Sequence, residues 1–426
     1  MSAGPRISVI IPTHNRVESL LRTISAFERQ RFELQDMELI VVADGCTDTT
    51  TSTLERRTTP LDWKLVVLDG LGAGAARNAG AEAATGSLLL FMDDDIEPAP
   101  QLVEAHVRAH AESPGRVVMG PYPPSLRGRS AFFRMQARSW WQSHFYEMSK
   151  PGHRFTYIDL VSGNLSIGPE VFRKVGGFDG SIPGAGGEDY EFGVRIIEAG
   201  IEIHFEPGAA ALHHEHETMT LDGSFRRARQ EGRTNVAIGR KHPRLRRGLF
   251  WDMLESEEAP RPQLRYLVFR RPALGRILAA MARASLPVLE LLKMRHRWRK
   301  AFGALFGYWR CRGVADELGS EAALSAYLER SPAASPSTGE DELVLDLAEG
   351  LDVAERLLDA SRPRSVYLRY GEHDVGRIEP AAVAEPLKGA HLRPILAERF
   401  PWELLRVLAL REAALVEPRS THGPVI

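Results

Sequence analysis

The stretch "GSLLLFMDDDIEPAP" (residues 86–100) sets five apolar residues, Leu88 to Met92, directly against three carboxylates, Asp93, Asp94 and Asp95. Asp is depleted in strands, and adjacent like charges repel or raise one another's pKa. Upstream, the chain alternates in type. "ISVIIP" (7–12), "MELIVVAD" (37–44), "KLVVLD" (64–69) and "SLLLFM" (87–92) are short, nearly continuous apolar runs. Between them, "RVESLLRTISAF" (16–27) places Val17, Leu20, Leu21, Ile24 and Phe27 at helical spacing, and "GAGAARNAGAEAAT" (72–85) is Ala-rich. This alternation predicts an α/β fold, a mostly parallel sheet covered by helices on both faces.

In open α/β sheets, ligands sit beyond the carboxyl ends of the strands. Pro12-Thr13-His14-Asn15, Asp44-Gly45 and the three aspartates each follow a strand directly, so all three lie on one edge and can converge. Three ionised Asp are tolerable where a hard divalent cation and an anionic ligand share the site. Alternate side chains of an extended backbone face the same way, so Asp93 and Asp95 can cooperate while Asp94 points elsewhere. A plainer reading also stands. "PAPQLVEAHVRAH" (98–110) reads as a helix with Pro98 or Pro100 in its first turn, which one aspartate could cap. That accounts for one carboxylate of the three.

At 426 residues the chain has room for two or three domains, and its formal net charge of −2 gives no overall pull toward nucleic acid. Cys46 and Cys311 fit no metal-ligand spacing, so a reducing, cytoplasmic setting is expected. The start, "MSAGPRISVIIPTHNR", has no signal-peptide pattern, and no apolar run reaches membrane-spanning length.

Further on, Ile201, Ile203 and Phe205 alternate like a strand, and Glu188 to Ala199 reads as a helix with Glu188, Asp189 and Glu191 in its first turn. The aromatic-rich "AFFRMQARSWWQSHFYEM" (131–148) precedes them. From 236 to 330 the chain is basic and helical, "SPAASPSTGEDE" (331–342) has linker composition, and 343–426 mixes strand and helix patterns. The expected organisation is a catalytic domain over 1–235, a helical extension over 236–330, a linker, and a small α/β appendage. No internal repeat is found.

Seven segments in order carry a resemblance: "SVIIPTHNR", "IVVADGCTD", "GAARNAG", "LLLFMDDD", "SGNLS", "VGGFD" and "GGEDYEFGVR". Together, over residues 5–216, they resemble the bacterial family 2 glycosyltransferases of the GT-A fold, which transfer a sugar from a nucleotide sugar with inversion. The resemblance implies that Pro12, Thr13, Asn15 and Arg16 lie along the nucleoside and that Asp44 accepts a hydrogen bond from the base. UDP is the expected nucleotide, though guanine would also offer a donor. Many members carry Asp where this chain has Ala43. Arg77, Asn78, Asp93 and Asp94 are implied to contact the nucleotide sugar, and Asp93 and Asp95 to hold Mn²⁺ or Mg²⁺. Asp189 is the implied base, with Glu188 next in line. In "AALHHEHE", His213 fits the additional metal ligand best, then His214, with His216 nearby.

Each assignment has a plainer counterpart. Asp44 could serve an Asp-Gly turn. Arg77 and Asn78 could be helix surface, Gly72 and Gly74 turn residues, and the acids at 188–191 dipole-favoured first-turn residues. The His tract could hold a separate transition metal or face solvent.

The basic stretch 267–313 is interrupted by Arg276, Arg283, Pro287 and Glu290, so it should not span a bilayer. As amphipathic helices it could lie on an anionic membrane surface, on the inner face, or pack on the catalytic domain. Expected partners are a nucleotide-sugar donor and a carbohydrate or lipid-linked acceptor, as in polysaccharide or glycolipid assembly, and no nucleic acid. A homo-oligomer contact is one use for 343–426. Two competing functions remain: an aspartate-nucleophile phosphohydrolase with Asp93 as nucleophile and Asp95 as acid, and a catalytically silent nucleotide-sugar-binding scaffold.

Overall fold

Seven strands form the central sheet: β1 (Ile7–Thr13), β2 (Met37–Asp44), β3 (Asp62–Leu68), β4 (Leu89–Met92), β6 (Val117–Met119), β7 (Asn164–Ile167) and β8 (Ile203–Phe205), in the order β3-β2-β1-β4-β7-β6-β8. A pair of short strands, β5 (Ile96–Pro98) and β9 (Ala211–His213), runs antiparallel beside it. This computed structural model describes residues 6–125, 132–182, 186–214, 219–249, 261–330, 342–381 and 383–415.

The apolar runs of β1, β2 and β4 form strands covered on both faces, whereas β3, at the sheet edge, is only partly covered and leaves Val67 57% exposed. All eight residues of β2 are buried, and Ile10 of β1 sits between Ile40 and Phe91 with none of the three exposed. The pairings β3-β2-β1-β4 are parallel, and β7 is the strand that reverses. Growth of the sheet turns round between β1 and β4, and such a switch point opens a crevice at the carboxyl ends of those strands.

The helices of this first part are α1 (Val17–Phe27), α2 (Thr50–Glu55), α3 (Ala73–Ala83), α4 (Leu102–Glu112), α5 (Phe132–Met148), α6 (Pro169–Lys174) and α7 (Glu188–Glu198). The small residues of α3 have a packing reason. A side chain at Gly80 would collide with Ile10 and Val42, so the helix lies directly on the sheet. The predicted cap by an aspartate does not form: Pro98 ends β5, α4 begins at Leu102, and Gln101 is its N-cap. All three aspartates therefore sit between β4 and β5.

The boundary expected at 235 falls inside α8 (Leu221–Lys241), and residues up to 334 cluster with the sheet in one unit apart from 150–154. α8 packs against α10 (Arg295–Leu318), preceded by α9 (Pro272–Leu291) and followed by α11 (Glu321–Glu329). Gly232 of α8 and Gly313 of α10 leave no room for a side chain against the partner's backbone. Phe225, Val236, Leu286, Trp298, Leu305 and Val314 belong to the core of this helical layer.

The second unit comprises residues 150–154 and 335–426. Its sheet is β10 (Glu342–Asp346), β11 (Ser365–Tyr370) and β12 (His373–Ile378), packed with α12 (Leu351–Ser361), α13 (Gly389–Arg399) and α14 (Pro401–Leu415) around Leu345, Leu358, Leu368 and Leu392. The expected linker falls almost wholly, at 331–341, outside the described residues.

Candidate active site

The three aspartates find their positive counterparts in the chain itself. Arg77, buried on α3, donates from one guanidinium nitrogen to Asp93 at 2.7 Å and from another to Glu188 at 3.0 Å. Burial opposes its charge, but Asp93 and Glu188 outweigh that, and its pKa lies above the ordinary arginine value. Arg16, after β1, reaches Asp94 at 3.0 Å and Asp95 at 3.2 Å. Two guanidiniums thus hold four carboxylates drawn from the β4–β5 loop and the start of α7.

Each aspartate has its own surroundings. The Asp94 carboxylate accepts from the Thr13 hydroxyl at 2.7 Å, and its carbonyl accepts from Thr23, which fastens the loop to β1 and α1. Burial, with Asp95 beside it, pushes its carboxyl up to about 6 even though Arg16 opposes the shift. Asp94 therefore faces the protein, and the arrangement spends it on the scaffold rather than on a ligand. The Asp93 side chain is 36% exposed. Its N–H donates to the Gly163 carbonyl, and a Cβ at Gly163 would stand 2.9 Å from Asp93 Oδ2.

Asp95 Oδ1 lies 3.3 Å from Nε2 of His213 at the end of β9. His214 turns the other way, its Nε2 2.8 Å from Glu97. Adjacent residues of a strand alternate sides, so only one of the two can join Asp95. His216 lies outside the described residues. Among those described, no three His, Cys, Asp or Glu side chains are arranged to hold a metal ion. The Asp95–His213 pair still fits a divalent cation of the Mg²⁺ or Mn²⁺ type. Mg²⁺ is usually held by one or two carboxylates, with substrate phosphates and water supplying the rest.

Asp189 opens α7 behind two glycines. Its Oδ1 accepts from the N–H groups of Tyr190 at 2.9 Å and Gly187 at 3.2 Å, leaving Oδ2 without a hydrogen bond among the described residues. Burial, then the neighbouring Glu188 charge, pushes its carboxyl up to about 7. Gly187 has φ +108°, and a side chain there would strike Thr234, so the turn into α7 requires glycine. Glu188 accepts from Gly186 N–H as well as from Arg77. Residues 183–185 of the glycine-rich approach lie outside the described set.

Other sequence candidates hold the walls of the crevice. Both Asp44 oxygens accept backbone N–H groups, Gly70 and Leu71 on one and Gly72 on the other, at 2.7–2.9 Å. Asp44 thus shapes the loop after β3, beyond the turn role its sequence suggested. Asn15 adopts φ +54°, and its side-chain Oδ1 accepts from Thr47 and Asp48 N–H. Pro12 is part of β1, where it pairs with Val42. Asn78 departs from expectation. Its amide donates to the Phe178 carbonyl at 2.7 Å and accepts from Phe178 N–H at 2.8 Å, so it clamps the "GGFD" turn and has little left for a nucleotide.

Sequence reasoning missed Tyr122. It is buried against His213, Phe145 and Trp141, with ring centroids 4.9–5.7 Å apart, and burial together with Asp93 and Asp189 raises its phenol pKa. The aromatic composition of α5 was the one available signal for this wall. A cavity of about 280 Å³ lined by Phe133, Arg134, Thr220, Leu286, Glu290 and Trp298 contains none of these groups.

Residues 8–176 match glycosyl transferase family 2, and 143–217 match the N-terminal domain of galactosyltransferase. Validoxylamine A glucosyltransferase of Streptomyces hygroscopicus subsp. jinggangensis is 31% identical over 282 residues, covering 58% of this chain and 63% of that protein. Pre-mycofactocin glycosyltransferase of Mycobacterium tuberculosis is 27% identical over 242 residues, covering 56% of this chain and 48% of its own length. The chain thus spans less than two thirds of either relative. Mannosyltransferase PcManGT from Pyrobaculum calidifontis, solved with GDP-Man and Mn²⁺, is 18% identical with a TM-score of 0.47, covering 74% of this chain and 88% of that one. The ordered motifs, the mostly parallel sheet and the match over residues 8–176 agree in their similarity to glycosyl transferase family 2.

Proposed function

We propose that the first unit is an inverting glycosyltransferase that moves a sugar from a nucleotide sugar, UDP-linked by preference, to a hydroxyl of a carbohydrate or lipid-linked acceptor. The observation that carries this reading is the pin formed by Arg77. It ties Asp93, at the strand end where the diphosphate is expected, to Glu188, whose neighbour Asp189 has a carboxyl pushed up to about 7. Donor-side and acceptor-side carboxylates are thereby held by one rigid side chain.

In the proposed reaction, Asp189 accepts the acceptor hydroxyl proton as that oxygen bonds to the anomeric carbon. The bond from that carbon to the diphosphate oxygen breaks, and the nucleoside diphosphate departs with the electron pair. A carboxylate with a pKa near neutrality is well matched to this task, since it is a stronger base than an ordinary Asp and still largely ionised above pH 7. Asp95 and His213 would hold Mn²⁺ or Mg²⁺, which would neutralise charge developing on the leaving diphosphate. Arg16, already drawn to Asp94 and Asp95, stands where it can follow that charge. The phosphohydrolase alternative gains nothing from the geometry, because Asp93 is engaged by Arg77 and Asp95 by Arg16 and His213.

A thermal-shift screen of nucleotide sugars with and without Mn²⁺ tests the reading. A UDP-sugar at ~100 times its Kd should add about 2.7 kcal/mol, only with the cation, and Asp95→Ala should erase the cation dependence. Equal shifts without Mn²⁺, or phosphomonoester hydrolysis lost on Asp93→Asn, would count against it.

A further inference from the structure

Helix α9 is apolar on two opposite sides. One side, Gly275, Ala279 and Leu286, is buried against the helical layer. Away from it, Leu274, Ile277, Leu278, Met281, Val288 and Leu291 form a second stripe at i, i+3, i+4, i+7, i+14 and i+17, continued by Leu292. These side chains face solvent, Ile277 at 59%, Met281 at 64% and Leu291 at 81% exposure. A helix that is hydrophobic all round is ordinarily covered on every side. No helix among the described residues is long and apolar enough to cross a membrane.

Charge chooses the cover. Residues 261–300 contain eleven Lys and Arg against one acid, Glu290. Directly beyond the stripe, Lys293, Arg295, Arg297, Arg299 and Lys300 are exposed, and among the described residues none of their side chains meets a carboxylate. Arg276 is exposed on the flank of α9, and Tyr266, half exposed, precedes the helix. A second copy of this face would bring the cations no counter-charge from 261–300 beyond Glu290. An anionic lipid surface satisfies both features: acyl chains accept the stripe and headgroup phosphates accept the cations.

We propose that α9 lies in the plane of an anionic membrane surface, its exposed stripe among the acyl chains and the run from Lys293 to Lys300 on the headgroup phosphates. This rests on α9 and its flanks alone and stands apart from the chemistry proposed for the crevice.

Co-sedimentation of the full chain with vesicles tests it. Vesicles of equal parts phosphatidylglycerol and phosphatidylcholine should bind the protein at least about tenfold more tightly than phosphatidylcholine alone, with binding weakened by salt. The triple variant Ile277→Glu, Met281→Glu, Leu291→Glu should lose at least about tenfold in affinity with its melting temperature unchanged, since these side chains are exposed. Should that variant misfold, Lys293→Gln, Arg295→Gln, Arg297→Gln, Arg299→Gln leaves the stripe intact and should lose about as much. Equal binding to both vesicle types overturns the proposal. So does a stripe variant that binds like the parent, or a parent that ignores vesicles but forms a dimer which the stripe variant dissolves.

Discussion

Glu38 enters β2 at the amino-terminal end of the sheet, and Asp94 leaves β4 at the carboxyl-terminal end. Both are buried, yet their carboxyls move in opposite directions from the usual range. Glu38 is driven down to about 2 because Lys64, the Ser8 and Thr85 hydroxyls and the Thr85 N–H all donate to it, outweighing its burial. Asp94 rises to about 6 and Asp189 to about 7, because burial is joined by neighbouring carboxylates. Burial is common to both ends; the number of donors against like charges differs. One end spends its carboxylate on holding β1, β2 and the turn before β4 together. At the other end Asp94 also fastens the scaffold, but the cluster around it and Asp189 keeps charge incompletely answered, which is the condition for gripping a ligand or moving a proton.

The largest expected effect tests the reactive end. Asp189→Asn should lower turnover by about 10²–10⁴-fold, with donor affinity in the thermal-shift assay unchanged. In the parent, the rate should rise with pH through an apparent pKa near 7, since the base must be ionised. A rate that stays flat down to pH 5 would remove Asp189 from that role.

Arg77→Met comes next, because it strands two carboxylates beside Asp189. Denaturant melts should show a loss of about 3–5 kcal/mol. The pH–rate limb should also move upward, since the guanidinium attraction that now restrains Asp189 is gone. Restoring Glu188 alone to neutrality, as Arg77→Met with Glu188→Gln, should recover part of the loss. A cost below about 1 kcal/mol, the worth of an exposed pair, would mean the pin is not rigid.

The smallest effect belongs to the quiet end. Glu38→Gln should cost about 1–3 kcal/mol at neutral pH and leave turnover alone. The sign of the pH dependence sharpens the contrast. Glu38 has its pKa depressed from 4.5 to about 2, so its stabilisation is complete above 4.5 and is lost as pH falls toward 2. Asp94 is raised from 3.8 to about 6, so its penalty is complete above 6 and is relieved as pH falls toward 3.8. Acid titration of the parent and of Glu38→Gln should separate the two: only the parent loses the low-pH limb between about 4.5 and 2.

Sequence by itself determined the elements and the edge on which the chemistry-bearing residues lie. Runs such as "LIVVA" (39–43) are apolar without interruption, a pattern that suits a strand covered on both faces, so Asp44 and Asp93 to Asp95 were expected at strand ends. Local periodicity carries no information about partners far along the chain, and tertiary structure alone decided those. Arg77 meets Glu188 across 111 residues, and Asn78 spends its amide on Phe178 across 100. Asp44 is taken up by the loop after β3, and Tyr122 comes to rest beside His213. The choice between His213 and His214 depended on which side of β9 faces Asp95, a matter of register. Likewise the composition of 267–313 suggested basic amphipathic helices. Which face of α9 the protein covers, and which it leaves exposed, was settled by what packs against it.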